Sequence, residues 1–243
     1  MPRPSARSVG ASAGAGARKS DRVRVNRLAI FDCDGTLVDS QASICLAMEH
    51  CFAGQKLEPP GREAIRRIVG LSLVEAIGRL LPEADDALHR ALAEDYKRAY
   101  FTLRTEGKIE DEPLYDGIAE TIAALDDAGW LLGVATGKSD RGLLRVLEQH
   151  GLRQRFVTLQ TADRHPSKPH PSMIEAAIAE AGAAPETTAM IGDTSFDMAM
   201  ACAAGVHAVG VAWGYHTRHD LLQAGAAHVA DHARALAPHL EGL

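Results

Sequence analysis

From residue 117 onward, short apolar segments alternate with segments whose apolar residues recur at helical spacing. The segment "PSMIEAAIAEAG" has Ile174, Ala177, Ile178 and Ala181 on one helical face and ends at Gly182. The apolar segments "WLLGVAT", "TAMIGD" and "VHAVGVAW" are typical of strands that are buried on both faces. This alternation predicts an α/β fold, with a Rossmann-like parallel sheet covered by helices on both sides.

Residues 40–111 break the pattern, because they contain long helical segments and no convincing strand. The apolar segment "LAIF" precedes them as a first strand, and the next strand begins only after residue 129. A crossover between neighbouring parallel strands normally takes far fewer residues. We therefore expect a small all-helical cap at 40–111, inserted into a core formed by 27–39 and 112–243. Residues 1–26, rich in Gly, Ala and Ser, are predicted to be a disordered tail.

Composition excludes several classes of protein. Hydrophobic residues make up 46% and charged residues 24% of the chain, which is typical of a soluble globular protein. No apolar run approaches about 20 residues, the length that a membrane span needs. The net charge of −6 argues against a nucleic-acid partner. The four cysteines form no CxxC pair, so we expect free thiols in the cytoplasm rather than disulfides or a zinc site.

Polar residues follow the predicted strands, at the edge of the sheet where ligands bind in doubly wound folds. Asp32 and Asp34 follow the first strand with one residue between them. Two carboxylates at that spacing repel each other unless a cation neutralises them or one carries a proton, which indicates chemistry rather than packing. The remaining candidates at this edge are Thr136, Gly137, Lys168, Asp193 and Asp197.

The order of these segments resembles a known superfamily. "DCDGTLVDS", "ATGKS", "SKPHP" and "GDTSFD" look like the four successive motifs of the haloacid dehalogenase superfamily, and the helical insertion resembles its C1 cap. Within the superfamily, the chain is most similar to the phosphoglycolate phosphatase-like branch. The resemblance covers roughly residues 28–240 and implies a phosphoric monoester hydrolase.

The resemblance implies a role for each residue at the strand ends. Asp32 would be the nucleophile that forms an aspartyl-phosphate. Asp34 would protonate the leaving alkoxide and then activate water. Thr136 and the Gly137 amide would bind phosphate oxygens, and Lys168 would offset the negative charge of the phosphoryl group and Asp32.

The resemblance also implies Mg²⁺, a hard cation that prefers oxygen ligands. Its ligands would be the Asp32 side chain, the Asp34 backbone carbonyl and the Asp193 side chain. Asp197 would order the outer shell of the metal or hold Lys168.

Two residues of the second motif allow plainer interpretations. Ser139 is equally suited to binding phosphate and to capping the helix that follows. Lys138 is expected to be exposed to solvent.

The cap segment "RRIVGLSL" separates two predicted helices, and Gly70 would permit a tight loop there. In relatives with a C1 cap, the corresponding loop faces the substrate, so Arg66, Arg67, Gly70 and Ser72 are the candidate cap residues for substrate binding. An arginine fork suits a carboxylate, which favours 2-phosphoglycolate among small phosphorylated metabolites. The two arginines are equally compatible with a solvated helix face.

Several alternatives stay open. Pyrophosphate, nucleotides and sugar phosphates are possible substrates, and a β-phosphoglucomutase-like mutase has the same core chemistry. A 2-haloacid dehalogenase needs neither Mg²⁺ nor an acid at position 34, and a phosphonatase needs a cap lysine for which no candidate is evident. A non-catalytic module would be expected to lack a core residue, and none is missing. The chain is expected to be a monomer or a homodimer.

Overall fold

The computed structural model describes Met1 and residues 25–109 and 111–243. Its strands are β1 (Asn26–Phe31), β2 (Leu131–Thr136), β3 (Phe156–Thr161), β4 (Ala183–Gly192), β5 (His207–Val211) and β6 (His228–Ala230). They form one parallel sheet in the order β3-β2-β1-β4-β5-β6. The predicted α/β fold with a Rossmann-like parallel sheet is confirmed.

Helices cover both faces of this sheet and form a separate group after β1. The helices are α1 (Gln41–Gly54), α2 (Arg62–Arg66), α3 (Leu73–Leu80), α4 (Asp86–Thr105), α5 (Ile118–Asp127), α6 (Asp140–Gln149), α7 (Ser172–Ala181), α8 (Ser195–Ala204), α9 (Arg218–Gln223) and α10 (Leu236–Glu241). Short 3-10 turns span Arg153–Arg155 and Ala233–Ala235.

The central strand β1 buries side chains on both of its faces. Ala29 and Phe31 lie in a cluster with residues of α5 and α6, whereas Leu28 and Ile30 lie in a cluster with residues of α7 and α8. All four side chains are fully buried, and burial of a large apolar side chain stabilises the fold by about 1.5–3 kcal/mol. The two-sided core therefore holds β1 rigidly between β2 and β4.

Helices α1–α4 have a small core of their own. Met48 and Phe52 of α1 pack with Ile77 of α3 and Leu92 of α4. All four helices lie between β1 and β2 in the sequence, and no strand of the sheet lies among them. We propose that they form the predicted helical cap, with their loops from residue 40 to residue 111.

The structure differs from the sequence-based expectation at a few boundaries. β1 begins at Asn26, one residue before the predicted start of the core. Most of the predicted tail, residues 2–24, lies outside the described residues. Periodicity predicts neither β6 nor α9 and α10: β6 spans three residues, and each of the two helices spans six residues, fewer than two helical turns. Within the described part of the chain, no helix is both long enough and apolar enough to cross a membrane.

Candidate active site

The strand order brings the predicted motifs to one edge of the sheet. Asp32 directly follows β1, Asp193 directly follows β4, and Thr136 is the last residue of β2. Both β2 and β4 are neighbours of β1. The Asp32 amide donates a hydrogen bond to the Ile191 carbonyl (2.9 Å), so the pairing with β4 continues up to the first carboxylate.

Asp32 is fully buried and has one carboxylate oxygen without a partner. Its Oδ1 accepts from the Cys33 amide (2.7 Å) and lies 2.9 Å from Nζ of Lys168. Its Oδ2 has no hydrogen-bond partner among the described residues. Burial raises the pKa of Asp32 to about 7, although Lys168 opposes the change. A buried carboxylate oxygen without a donor is available to a cation or to an electrophilic substrate.

Lys168 is the cation at the centre of this group. Its side chain is fully buried, and Nζ lies 2.6 Å from Oδ1 of Asp197 as well as 2.9 Å from Asp32. Burial alone would lower the pKa of Lys168, but the carboxylates of Asp197 and Asp32 outweigh it and hold the pKa above its ordinary value. Lys168 therefore stays charged and offsets part of the negative charge beside Asp32.

Asp197 holds Lys168 and also caps a helix. Its Oδ2 accepts from the Thr194 amide (3.0 Å) and the Thr194 hydroxyl (2.6 Å). The Asp197 amide donates to the Thr194 side-chain oxygen (3.3 Å), which completes a capping box at the start of α8, with Thr194 as the N-cap. Both carboxylate oxygens of Asp197 are therefore occupied. The contact with Lys168 corresponds to one of the two roles predicted for Asp197, and ordering the outer shell of a metal stays a prediction.

Asp193 and Asp32 together fit a divalent cation. Carboxylate oxygens of Asp32, Asp193 and Asp197 lie within 4.8 Å of one another. Burial raises the pKa of Asp193 well above its ordinary value, and the negative charges of Asp32 and Asp197 raise it further. Three buried carboxylates with a single lysine among them leave an excess of negative charge, which Mg²⁺ would neutralise with the oxygen ligands it prefers.

The backbone is shaped to accommodate the Asp193 carboxylate. Its oxygens accept from the Thr36 hydroxyl (2.8 Å) and the Tyr215 amide (2.8 Å). Gly35 has φ +81°, and a Cβ there would come within 2.2 Å of Oδ2 of Asp193. Glycine is required at this position for both reasons.

Asp34 has partners of its own, separate from those of Asp32. Its Oδ1 accepts from the Ser40 hydroxyl and lies 2.8 Å from Nζ of Lys138. The Ser40 hydroxyl lies 3.1 Å from the Tyr215 hydroxyl. These contacts hold the Asp34 side chain at the edge of the site, where it lines the cavity described below.

The prediction that Lys138 is solvent-exposed is wrong. Its side chain is only 11% exposed, and Nζ pairs with Glu112 (3.4 Å) in addition to Asp34. Burial alone would lower the pKa of Lys138, but the two carboxylates hold it well above its ordinary value. Glu112 belongs to the segment in which the chain returns from the cap to the core, so no local sequence pattern indicates this contact.

The second motif meets the cap directly. Ser139 caps α6 by accepting from the Gly142 amide (3.2 Å), the plainer of its two predicted roles. A Cβ on Gly137 would lie 2.5 Å from the Leu71 carbonyl oxygen and 2.7 Å from that of Gly70. The segment 69–72, which we call the cap loop, therefore packs against Gly137, where phosphate binding is predicted.

The cap candidates fall into two groups. Gly70 (φ +99°) and Ser72 lie in the cap loop and line the cavity below it, and the Ser72 amide donates to the Ser167 hydroxyl (2.8 Å). Arg66 and Arg67 are not among the lining residues, and each pairs with Glu63 (3.8 and 3.3 Å). Substrate binding by these two arginines stays a prediction.

A cavity of about 470 Å³ lies between the cap and the core, within the range of about 300–1,000 Å³ that is usual for small-molecule sites. Asp34, Gly137 and Lys138 contribute to its wall on the core side. Most other lining residues are apolar or aromatic, among them Ile44, Met48, Ile68, Leu71, Leu73, Tyr96, Tyr100 and Phe101. The cavity suits a small molecule whose polar end reaches the motif residues.

The sequence profile of the haloacid dehalogenase-like hydrolases matches residues 29–211, which include the first motif, the helices after it and the strand ends described above. The chain belongs to this family. The predicted superfamily is therefore confirmed. Membership of this family also makes the protein a hydrolase.

Individual members of the haloacid dehalogenase-like family are similar over most of the chain. The probable phosphatase IndB of Dickeya dadantii is 38% identical over 80% of this chain and 84% of its own length. A phosphoglycolate phosphatase of Agrobacterium fabrum is 35% identical over 77% of this chain and 81% of its own length. The crystal structure of a hydrolase from Pseudomonas syringae superposes with a TM-score of 0.78 at 26% identity, covering 90% of this chain and 99% of that one. The predicted class, a phosphoric monoester hydrolase, agrees with these names.

Proposed function

We propose that this protein is a Mg²⁺-dependent phosphatase that hydrolyses a small phosphomonoester through an aspartyl-phosphate on Asp32. The observation that carries the proposal is the fully buried Asp32 carboxylate, with Oδ2 unpartnered among the described residues and with Lys168 at 2.9 Å. Lys168 and the Cys33 amide contact Oδ1 only, so the buried Oδ2 is left for a metal cation or for the phosphorus atom that it attacks. The names of the two sequence relatives, a probable phosphatase and a phosphoglycolate phosphatase, support the phosphatase part of this proposal.

In the first half of the reaction, the Asp32 carboxylate attacks phosphorus and the bond from phosphorus to the alkyl oxygen breaks. Asp34 gives its proton to the departing alkoxide. Thr136 and the Gly137 amide bind phosphoryl oxygens, and Lys168 offsets the charge that accumulates beside Asp32. The products of this half are an alcohol and a phosphorylated Asp32.

In the second half, Asp34 takes a proton from a water molecule, and the resulting hydroxide attacks phosphorus. The bond from phosphorus to Asp32 breaks, which releases inorganic phosphate, restores the Asp32 carboxylate and leaves Asp34 protonated for the next turnover. Mg²⁺, held by Asp32, Asp193 and the Asp34 carbonyl, would supply charge neutralisation and orientation of the phosphoryl group. The cap loop over Gly137 would exclude bulk water during both halves.

The cap has to move for substrate to enter. Asp32 is fully buried, and the cap loop packs on Gly137 and Ser167. We propose that this contact opens for entry and product release, as capped enzymes do. The cavity volume of about 470 Å³ then limits the substrate to a small metabolite.

2-Phosphoglycolate is our first candidate substrate, supported by the name of the Agrobacterium relative. For the compartment, we propose the cytoplasm, because the four cysteines are free thiols and three of them are buried. We propose a monomer or a homodimer acting on a small phosphorylated metabolite, without nucleic acid.

Phosphate release from a panel of phosphomonoesters, including 2-phosphoglycolate and p-nitrophenyl phosphate, tests the proposal. Wild-type protein is assayed with Mg²⁺ and with EDTA, beside Asp32→Asn. We expect release only with Mg²⁺ and only from the wild type. The absence of release from every compound, by protein shown to be folded, would refute the phosphatase assignment.

A further inference from the structure

Arg145 projects from the core helix α6 into the cavity between the cap and the core. One of its terminal nitrogens donates to the hydroxyl of Tyr100 (3.0 Å), and its guanidinium lies 5.1 Å from the centre of the Tyr100 ring. Its Nε is buried and has no hydrogen-bond partner among the described residues. A buried guanidinium donor without an acceptor is costly, since charged groups are strongly destabilised when they lose water without gaining a partner.

A second arginine of the same helix lines the cavity four residues earlier. Arg141 lies with its guanidinium 5.2 Å from the centre of the Phe101 ring. No carboxylate within the described residues comes within 4 Å of either Arg141 or Arg145, whereas Arg104, also on the wall, pairs with Asp111 (3.2 Å). Like charges four residues apart on one helix repel each other. An anion from outside the chain would offset both the repulsion and the unpartnered donor.

We propose that Arg145, with Arg141 beside it, binds a second anionic group of the substrate, at the end of the molecule away from the scissile phosphate. The inference rests on the proposed phosphatase function and narrows the substrate class to phosphomonoesters that carry a further anionic group. Arg141 and Arg145 line the cavity, whereas Arg66 and Arg67, for which carboxylate binding stays a prediction, do not.

The surroundings of Arg145 explain why this group discriminates between substrates. The guanidinium offers donors in a fixed planar arrangement that matches a carboxylate or a phosphate. The cavity wall around it is largely apolar and aromatic, so an ionic hydrogen bond is less screened there than in water. From Asp34, a chain of contacts through Lys138, Glu112 and Tyr100 leads to Arg145. Four successive contacts therefore connect Asp34, the proposed acid and base, to Arg145.

Matched pairs of substrates test this inference. Phosphorylated hydroxy acids with two, three and four carbons, the shortest being 2-phosphoglycolate, are each compared with their uncharged primary amides. For the wild type, we expect kcat/KM of at least one acid to exceed that of its amide by about 10- to 100-fold, the size of a charge-assisted hydrogen bond. The difference is expected mainly in KM, since binding the second anion is equal in the ground and transition states.

Variants of Arg145 then identify the group responsible. In Arg145→Met, the ratio of kcat/KM for the acid to kcat/KM for its amide is expected to fall to within about threefold of one. Arg145→Lys keeps the charge without the fork and is expected to retain part of the preference. Arg90→Met, which removes an exposed arginine of α4, is the matched control and should keep the wild-type ratio.

The outcomes separate the two proposals. Hydrolysis of the panel with equal kcat/KM for every acid and its amide would overturn the anion site and leave the phosphatase function intact. A wild-type ratio that survives in Arg145→Met would do the same. Failure to hydrolyse any compound, p-nitrophenyl phosphate included, would overturn the phosphatase function itself and the anion site with it.

Discussion

Nζ of Lys138 lies 2.8 Å from Oδ1 of Asp34, the proposed acid and base of the reaction. The same ammonium lies 3.4 Å from Glu112, which accepts from the hydroxyl of Tyr100 on the cap helix α4. Charged hydrogen bonds of this kind hold a side chain in one orientation. We therefore expect Lys138 to position Asp34, with Glu112 and Tyr100 connecting that position to the cap.

Lys138→Met is expected to impair proton transfer more than binding. We predict that kcat/KM for an alkyl phosphate falls by about 10- to 100-fold, because a misplaced Asp34 protonates the alkoxide poorly. For p-nitrophenyl phosphate, whose phenolate leaves without a proton, the loss is expected to stay below about threefold. Steady-state kinetics with both substrates measure the difference, and Lys108→Met, at an exposed lysine, serves as control. Equal losses for the two substrates would contradict the positioning role.

Asp32→Asn is expected to reduce turnover by at least about 1,000-fold, because an amide cannot form the acyl-phosphate. Folding should be retained, since the variant removes a buried charge whose pKa is already raised to about 7 and leaves Lys168 paired with Asp197. Phosphate release and a urea unfolding curve measure the two effects. Residual activity above a few per cent, in protein that mass spectrometry finds free of deamidation, would rule out Asp32 as the nucleophile.

Lys168→Met is expected to lower the free energy of unfolding by about 3–5 kcal/mol, as removing one partner of a buried ion pair does. The variant leaves Asp32 and Asp197 buried without their cation. Urea unfolding of the metal-free protein measures the change. Arg155→Met, which breaks the exposed pair with Asp126, is the control and should cost less than about 1 kcal/mol. A loss at Lys168 no larger than at Arg155 would mean that the buried pair contributes little.

Mg²⁺ is expected to stabilise the folded protein through Asp32 and Asp193. At one hundred times the dissociation constant, the gain is about 2.7 kcal/mol, a rise in Tm of about 5–10 °C for a chain of this size. Asp193→Asn is expected to abolish the rise. In EDTA the same variant should be at least as stable as the wild type. The raised pKa of Asp193 means that its charged carboxylate destabilises the folded protein at neutral pH, and asparagine carries no charge.

Thermal unfolding with Mg²⁺ and with EDTA measures both effects of that substitution. Asp116→Asn, at an exposed carboxylate, should keep the wild-type response to Mg²⁺. A full Mg²⁺-induced rise in Asp193→Asn would exclude Asp193 from the metal site.

Gly137→Ala is expected to hold the cap loop away from the core, because the new Cβ would lie 2.5 Å from the Leu71 carbonyl oxygen. We predict that kcat/KM falls by about tenfold or more as closure is impaired, with little change in the urea midpoint. Gly54→Ala, where a Cβ meets nothing within 4 Å, is the matched control. An unchanged kcat/KM in Gly137→Ala would show that this contact does not take part in closure.

The predictable part of the site consists of residues whose position follows from strand ends. Asp32, Thr136 and Asp193 end or follow apolar strands, and parallel strands have their carboxyl ends at one edge, so their proximity could be inferred from the order of motifs alone. The strands are equally predictable, because a continuous run of apolar residues, or an alternation of apolar and polar residues, indicates which side chains of a strand are buried. The short elements β6, α9 and α10 carry too few residues for such a signal.

By itself, the sequence determined the family, the parallel sheet and the acids and lysine at its edge. Only the tertiary structure decided which charged side chains come together around the site. Lys138 is buried because Asp34 and Glu112 come together around it, and Arg145 rather than Arg66 lines the cavity because α6 faces Tyr100 of α4. Each of these contacts joins segments that are distant in sequence, and their energies depend on distance and burial in the folded chain, which local patterns of residues do not encode.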